Sequence, residues 1–184
     1  MKFAFEPLAI PDVVLVRPTR YTDQRGFFQE SYRESAFAEA GIDARFVQDN
    51  HARSTRHVLR GLHYQIPPAA QGKLVTAMSG RIYDVAVDLR VGAPTFGGWI
   101  GTTLDADSGE LLWIPPGFAH GYVVLSDVAD VHYKVTAEYR PELDRGVLWN
   151  DHAIGVEWPV ADPIVSAKDR AQPPLATCDN PFLA

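Results

Sequence analysis

Short segments rich in Val, Ile, Phe, Tyr and Thr recur along this chain, each closed off by Gly, Pro or Asp. They lie at 13–16, 26–32, 46–49, 58–65, 73–78, 82–89, 99–104, 111–114, 121–125, 131–135 and 147–149. Strands this short at this spacing, with almost no helical periodicity between them, pair as an antiparallel sandwich or barrel, so the expected fold is all-β. One or two short helices are expected beside the strands. The clearest is 35–40, where Ser35 can cap, Phe37 and Ala40 would face inward, and Gly41 supplies a left-handed stop. Ser79-Gly80-Arg81 reads as a hairpin turn between two strands. Without repeats, low-complexity tracts or a linker, residues 1–184 are expected to form a single domain.

A chain of 184 residues can bury roughly 70% of its unfolded surface, so it needs neither a metal clip nor a disulfide for stability. The lone Cys178 rules out an internal bridge and any CxxC site, and a cytoplasmic location is expected. Met1 to Pro11 hold Lys2 and Glu6 among short apolar pieces, too broken for a signal peptide, and no apolar run is long enough to span a membrane. The net charge of −6 argues against nucleic acid or a membrane surface as partner. A local cluster of cations could still bind one phosphorylated small molecule.

Chemistry concentrates at 58–65, V-L-R-G-L-H-Y-Q, followed by Gln71-Gly72-Lys73. A histidine flanked by an arginine and a lysine can bind a phosphorylated, carbonyl-bearing substrate and move one of its protons. The two-residue strand period puts His63 on the face of Leu59, Gly61 and Gln65, and puts Arg60 on the other face unless Gly61 introduces a bulge. The same period turns Val131, Tyr133 and Val135 inward and Asp130, His132 and Lys134 outward. A histidine on an apolar strand face is more often a hydrogen-bonded core residue than a catalyst, and Lys73 alone would read as a solvated loop lysine. Context changes that weighing.

The turn Pro115-Pro116-Gly117-Phe118-Ala119-His120-Gly121 resembles the second signature of the cupin superfamily, whose small jelly-roll barrels carry their site in the barrel mouth. Many cupins hold a metal through three histidines and a glutamate. Here the first signature reads His63-Tyr64-Gln65, with Gln where a second His would stand and no Glu before Gly72, so no metal site is expected.

A larger set of motifs then comes into register: Asp23-x-Arg25-Gly26-Phe27-Phe28-x-Glu30-x-Tyr32, Phe46-Val47-Gln48-Asp49-Asn50, Leu59 to Gln65, Gly80-x-Ile82-x-Asp84 through Arg90, Pro94-Thr95-Phe96-Gly97, Gly117 to Gly121, Tyr133-Lys134, Trp149-Asn150-Asp151 and Ser166-x-Lys168-Asp169. Together they resemble the dTDP-4-dehydrorhamnose 3,5-epimerase family of cupins, from about Leu15 to Asp169. The resemblance implies a cofactor-independent isomerase that removes and returns protons at C3 and C5 of a dTDP-4-keto-6-deoxyhexose. It implies His63 as base, Asp169 as the carboxylate holding its imidazole, Tyr133 as acid on the opposite face and Lys73 beside the C4 oxygen. It also implies a substrate-binding set: Arg25, Arg60 and Lys168 at the diphosphate, Glu30, Gln48, Asn50 and His120 hydrogen-bonding base or sugar, Tyr139 stacking on the base, with Phe27, Asp49 and Asp144 completing it. A homodimer is implied by relatives that pass N-terminal strands to a partner's sheet, and the exposed edge at 13–16 gives that a physical motive.

The chain departs from the family pattern at His57, where a glycine or small residue is usual and a titratable group could reach the site mouth, and at Asp144, where glutamate is common. Relatives with the same His, Asp and Tyr act at C3 alone or C5 alone. Two rival readings are a metal-dependent cupin using His63 and His120, and a non-catalytic nucleotide-sugar binding module. The second has no use for an acid and a base on opposite faces.

Overall fold

The computed structural model describes residues 2–184. The strands run β1 (Phe3–Pro7), β2 (Val14–Pro18), β3 (Arg20–Asp23) and β4 (Gly26–Gln29), followed by helix α1 (Glu34–Glu39). Then come β5 (Gln48–Thr55), β6 (Val58–Gln65), β7 (Lys73–Ser79), β8 (Arg81–Asp88), β9 (Trp99–Asp105), β10 (Leu111–Ile114), β11 (Phe118–Val124) and β12 (Val128–Val135). The chain closes with β13 (Asp144–Gly146), β14 (Ile164–Val165) and helix α2 (Ala167–Arg170). One sheet has the order β1-β2-β10-β7-β12-β5, the other β13-β6-β11-β8-β9 with β14 parallel to β6, and β3 and β4 form a separate hairpin. The all-β expectation holds, in a jelly-roll arrangement of two facing sheets with two short helices.

Alternation explains the layering. In β8, Ile82 and Ala86 enter the apolar cluster between the sheets, while Val85 and Val87 enter a second cluster on the outer face with Val147, Ile154 and Phe182. The C-terminal segment therefore covers that outer face, and β8 is apolar on both sides, as a doubly covered strand must be. The outer face of the first sheet is covered by Phe3 of β1 and by Phe37 and Ile42 around α1, packed on Leu74, Leu111 and Trp113. Burying side chains of this size contributes about 1.5–3 kcal/mol each.

Several local expectations are corrected. Ser79-Gly80-Arg81 is not a hairpin: β7 pairs with β10 and β12, β8 with β9 and β11, so the turn carries the chain from one sheet into the other. The helix begins at Glu34 after Arg33, without a side-chain cap; Ser35 lies inside it and Ala40 is exposed, although Phe37 is buried and Gly41 is left-handed as expected. Residues 147–149 are not a strand: β13, the three residues before them, pairs with β6, and of 147–149 only Val147 prolongs that pairing, exchanging backbone hydrogen bonds with Leu62 at 2.9 and 3.4 Å.

Candidate active site

The site is built around a bulge in β6. His120 of β11 stands opposite His63, and Tyr122 opposite Arg60, so one residue on β11 faces two, Gly61 and Leu62, on β6. The extra residue resets the alternation, and both Arg60 and His63 reach the same cavity. Leu59 is thereby turned away from the face of His63, contrary to simple alternation, and packs with Val123 and Val165. Only glycine fits here. Gly61 has φ +136°, and a Cβ on it would lie 2.5 Å from the Gly121 Cα; a Cβ on Gly121 would lie 2.7 Å from the Arg60 carbonyl oxygen.

The cavity, about 520 Å³, is lined by Arg60, His63 and His120 from one sheet and Lys73 and Tyr133 from the other, with Lys168 and Asp169 of α2 closing one side. His63 Nε2 lies 2.6 Å from Asp169 Oδ1. β14, held parallel to the start of β6, delivers α2 to this point, and Ser166 caps that helix by accepting the Asp169 amide at 3.0 Å. Burial alone would raise the Asp169 pKa, yet hydrogen bonds from His63, Ser166 and the Gly61 backbone hold it below the usual carboxylate value. With Nε2–H donated to the carboxylate, the imidazole lone pair is on Nδ1.

A second pair lies behind the first. His120 Nε2 meets both Asp84 oxygens at 3.0 and 2.9 Å, and both residues are buried. Burial pushes the His120 pKa down, helped by Lys73 and His63 and opposed by Asp84. Lys73, 7% exposed, donates to the His63 carbonyl at 3.1 Å, and its desolvation lowers its pKa to about 8. Burial raises the Tyr133 phenol, although Arg60 pulls in the other direction. His63 and Tyr133 thus approach the cavity from facing sheets.

Gln48, Asn50, Tyr139, Asp144 and Lys168 are linked to one another through Tyr139, and of the five only Lys168 lines the cavity. Gln48 donates to Asn50 at 2.8 Å and accepts the Tyr139 amide at 2.9 Å. Lys168 Nζ reaches Asp144 at 2.5 Å, with the Tyr139 hydroxyl 3.4 Å from the same carboxylate oxygen. Gln65 has its amide engaged by the Ala69 and Glu138 carbonyls and the Arg140 amide, so it serves the backbone.

Four further expected binding residues are also absent from the cavity lining. Asp49 points to the outer face of its sheet, where it holds Lys134 at 2.9 Å. Arg25, its side chain 85% exposed, pairs with Asp23, and Phe27, 59% exposed, lies under the Arg20 guanidinium. Glu30 faces Lys2 and Arg33. His57 is exposed and lines no part of the cavity; its φ of +66° shows why a small residue suits the position. Two residues in the site escaped the reading of roles, Asp84 and Tyr122. Both were accessible by counting in twos, from Ile82 and Ala86 for Asp84 and from His120 for Tyr122.

The sequence model for dTDP-4-dehydrorhamnose 3,5-epimerase matches residues 7–177. The dTDP-4-dehydrorhamnose 3,5-epimerase of Pseudomonas aeruginosa is 55% identical over 174 residues, 94% of this chain and 96% of its own length. The one from Shigella flexneri is 53% identical over 161 residues, 87% of this chain and 89% of its own. The crystal structure of dTDP-6-deoxy-D-glucose-3,5-epimerase from Legionella pneumophila, in complex with dTDP-4-keto-L-rhamnose, superposes with a TM-score of 0.95 at 42% identity over 99% of each chain.

Proposed function

Because the chain belongs to the dTDP-4-dehydrorhamnose 3,5-epimerase family, we infer that it is an isomerase converting dTDP-4-dehydro-6-deoxy-D-glucose to dTDP-4-dehydro-L-rhamnose in its cupin-like jelly roll. The observation that carries the mechanism is the His63–Asp169 pair facing Tyr133 across the cavity, with buried Lys73 beside it.

The chemistry follows from the ketone. Loss of a proton from C3 or C5 leaves an enolate whose charge rests on the C4 oxygen. His63 takes that proton, and Asp169 steadies the resulting imidazolium. Lys73, kept close to its deprotonation point yet cationic at neutral pH, stabilises the enolate oxygen. Tyr133, a phenol made a weaker acid by burial, stays protonated until it delivers its proton to the opposite face of the carbon. Once His63 has released its proton to solvent and the Tyr133 phenolate has taken one up, repeating the cycle at the other α-carbon inverts both centres without a cofactor. Arg60 and Lys168 are assigned to the diphosphate, Gln48, Asn50 and His120 to hydrogen bonds with base or sugar, and Tyr139 with Asp144 to the rim.

Arg25, Phe27 and Glu30 fit the same function in a homodimer, where the β3–β4 hairpin of one protomer reaches the site of its partner; Asp49 has no such route from its outer face. Among the described residues no helix is long and apolar enough to cross a membrane, and a cytoplasmic enzyme on a soluble nucleotide sugar is the simplest setting.

The test is proton NMR of dTDP-4-keto-6-deoxyglucose with the protein in deuterium oxide, beside His63→Ala. Deuterium entering both C3 and C5 only with the unaltered protein is the expected result. Label at one carbon alone would make it a mono-epimerase, and no label would end the reading.

A further inference from the structure

Asp84 is a buried carboxylate with very little to hold it. The other buried aspartates are well supplied: Asp88 by Arg90 and Thr95, Asp130 by Arg53 and Ser79, and Asp151 by three backbone amides. Those bonds replace what water would have given, as a stable interior anion requires. Asp84, with 0% exposure, meets a single donor among the described residues, the Nε2 of His120, which it takes with its two oxygens at 3.0 and 2.9 Å. A side chain kept only for packing at this point would be apolar, since Ile82 and Ala86 on the same face of β8 enter the core. The carboxylate is therefore there for what it does to its neighbours.

The neighbour it touches is His120. Burial and the nearby Lys73 and His63 disfavour a charged imidazole, so a neutral ring gives its one proton to the carboxylate and carries its lone pair on Nδ1. That nitrogen makes no hydrogen bond to a described residue and is not sealed in the interior, so it opens on the cavity that His120 lines. His120 is thereby an acceptor only. Lys73, from the facing sheet, is a donor only, and the Asp84 charge favours its ammonium against burial. Together the two read opposite chemistries. A ketone oxygen can only accept, so it is drawn to Lys73 and refused by His120, whereas a hydroxyl can donate to His120. We propose that Asp84 is a positioning residue of the active site, holding His120 as an acceptor for the C3 hydroxyl of the hexose while Lys73 takes the adjoining C4 oxygen. This rests on the epimerase reading above, and it makes the vicinal hydroxyl and ketone the pair by which the ring is oriented between His63 and Tyr133.

Nitrogen NMR of the His120 ring reads the tautomer directly, its signal assigned by loss in His120→Phe. The unaltered protein should carry the proton on Nε2 and none on Nδ1. Asp84→Asn keeps the shape but offers Nε2 an amide N–H as well as a carbonyl, so a protonated Nδ1 should appear. That new donor gives the ketone a second, unproductive seat held by one hydrogen bond. Measured well below the alkaline limb of Lys73, kcat should then fall roughly five- to tenfold, with KM lower or unchanged and affinity for dTDP, which has no hexose, unaltered. A proton on Nδ1 of the unaltered protein would overturn the inference even if the variant does not fold. So would a tautomer unmoved in Asp84→Asn, where any lost activity would come from the charge acting on Lys73. A moved tautomer with kcat unaltered would make the carboxylate structural, and a rise in KM or a loss of dTDP affinity would mean that plain binding was lost; each of these sinks the seating role. If the unaltered protein exchanges no deuterium at C3 or C5, the epimerase reading fails and takes the hydroxyl contact with it; if it exchanges label and Nδ1 is protonated, the inference alone fails.

Discussion

A carboxylate buried to 4% exposure is stable as an anion only because three hydrogen-bond partners converge on it, and at Asp169 one of them is the imidazole of His63, the base of the proposed mechanism. Asparagine in its place keeps the shape but donates where Asp169 accepts, so it favours the wrong tautomer of His63. Asp169→Asn should lower kcat by about 10²- to 10⁴-fold while dTDP affinity stays within a few-fold, read from steady-state kinetics and calorimetry; unchanged turnover would contradict the pair. Lys73 sets a different limit. Its folded pKa of about 8 lies below the ordinary 10.5 because burial disfavours the charge. The charged form is thus the one the fold resists: the penalty is full below about pH 8 and fades as pH rises towards 10.5. In the proposed mechanism catalysis needs that same cation, so kcat/KM should fall as pH rises through about 8. Lys73→Arg, slower throughout, should show no such alkaline limb, and a limb persisting there would assign it to another group.

At the level of elements, the bulge in β6 decides whether Arg60 and His63 share a cavity, and its tolerance is small. Gly61→Ala must place a Cβ 2.5 Å from a backbone atom at φ +136°; it should destabilise the fold by at least about 2 kcal/mol and reduce activity beyond what the lost stability explains. Gly26→Ala is the control, with φ +120° and open space around the new Cβ, and denaturant melts of the two separate strain from collision. The glycine was legible as a conditional, since alternation alone left Arg60 on the wrong face. Strand existence was legible too, and 58–65 and 111–114 match to the residue. What local sequence does not hold is the partner of each strand. Ser79-Gly80-Arg81 has the same turn chemistry whether the chain doubles back or crosses to the facing sheet, and only the pairing of β7 with β10 and β12 decides. The two-residue β14 is too short for any periodicity, yet it carries Asp169 to His63. The dyad partners, 106 positions apart, were brought together by the family motifs rather than by spacing.

The whole molecule presents a charge contrast and an unsatisfied surface. A chain of net charge −6 gathers Arg60, Lys73 and Lys168 at one cavity, so attraction for a diphosphate is local and should weaken with salt. Meanwhile the β3–β4 hairpin leaves Tyr21, Phe27 and Phe28 more than half exposed beside Arg25, far more apolar surface than a solvated hairpin needs. In a two-fold dimer each hairpin would cover that surface and supply Arg25 to the other protomer's cavity. Light scattering at micromolar concentration should then report twice the 20.3 kDa chain mass, and a clean monomer would end the idea. Shared sites make a sharper prediction, because His63→Ala and Arg25→Ala would each disable both sites of their own homodimer. Unfolded together and refolded as a mixture, they would form heterodimers in which one site carries both lesions and the other neither, restoring roughly a quarter of the unaltered activity. If Arg25 instead served its own protomer's cavity, every site in the mixture would hold one lesion, and no activity beyond that of the two variants would return.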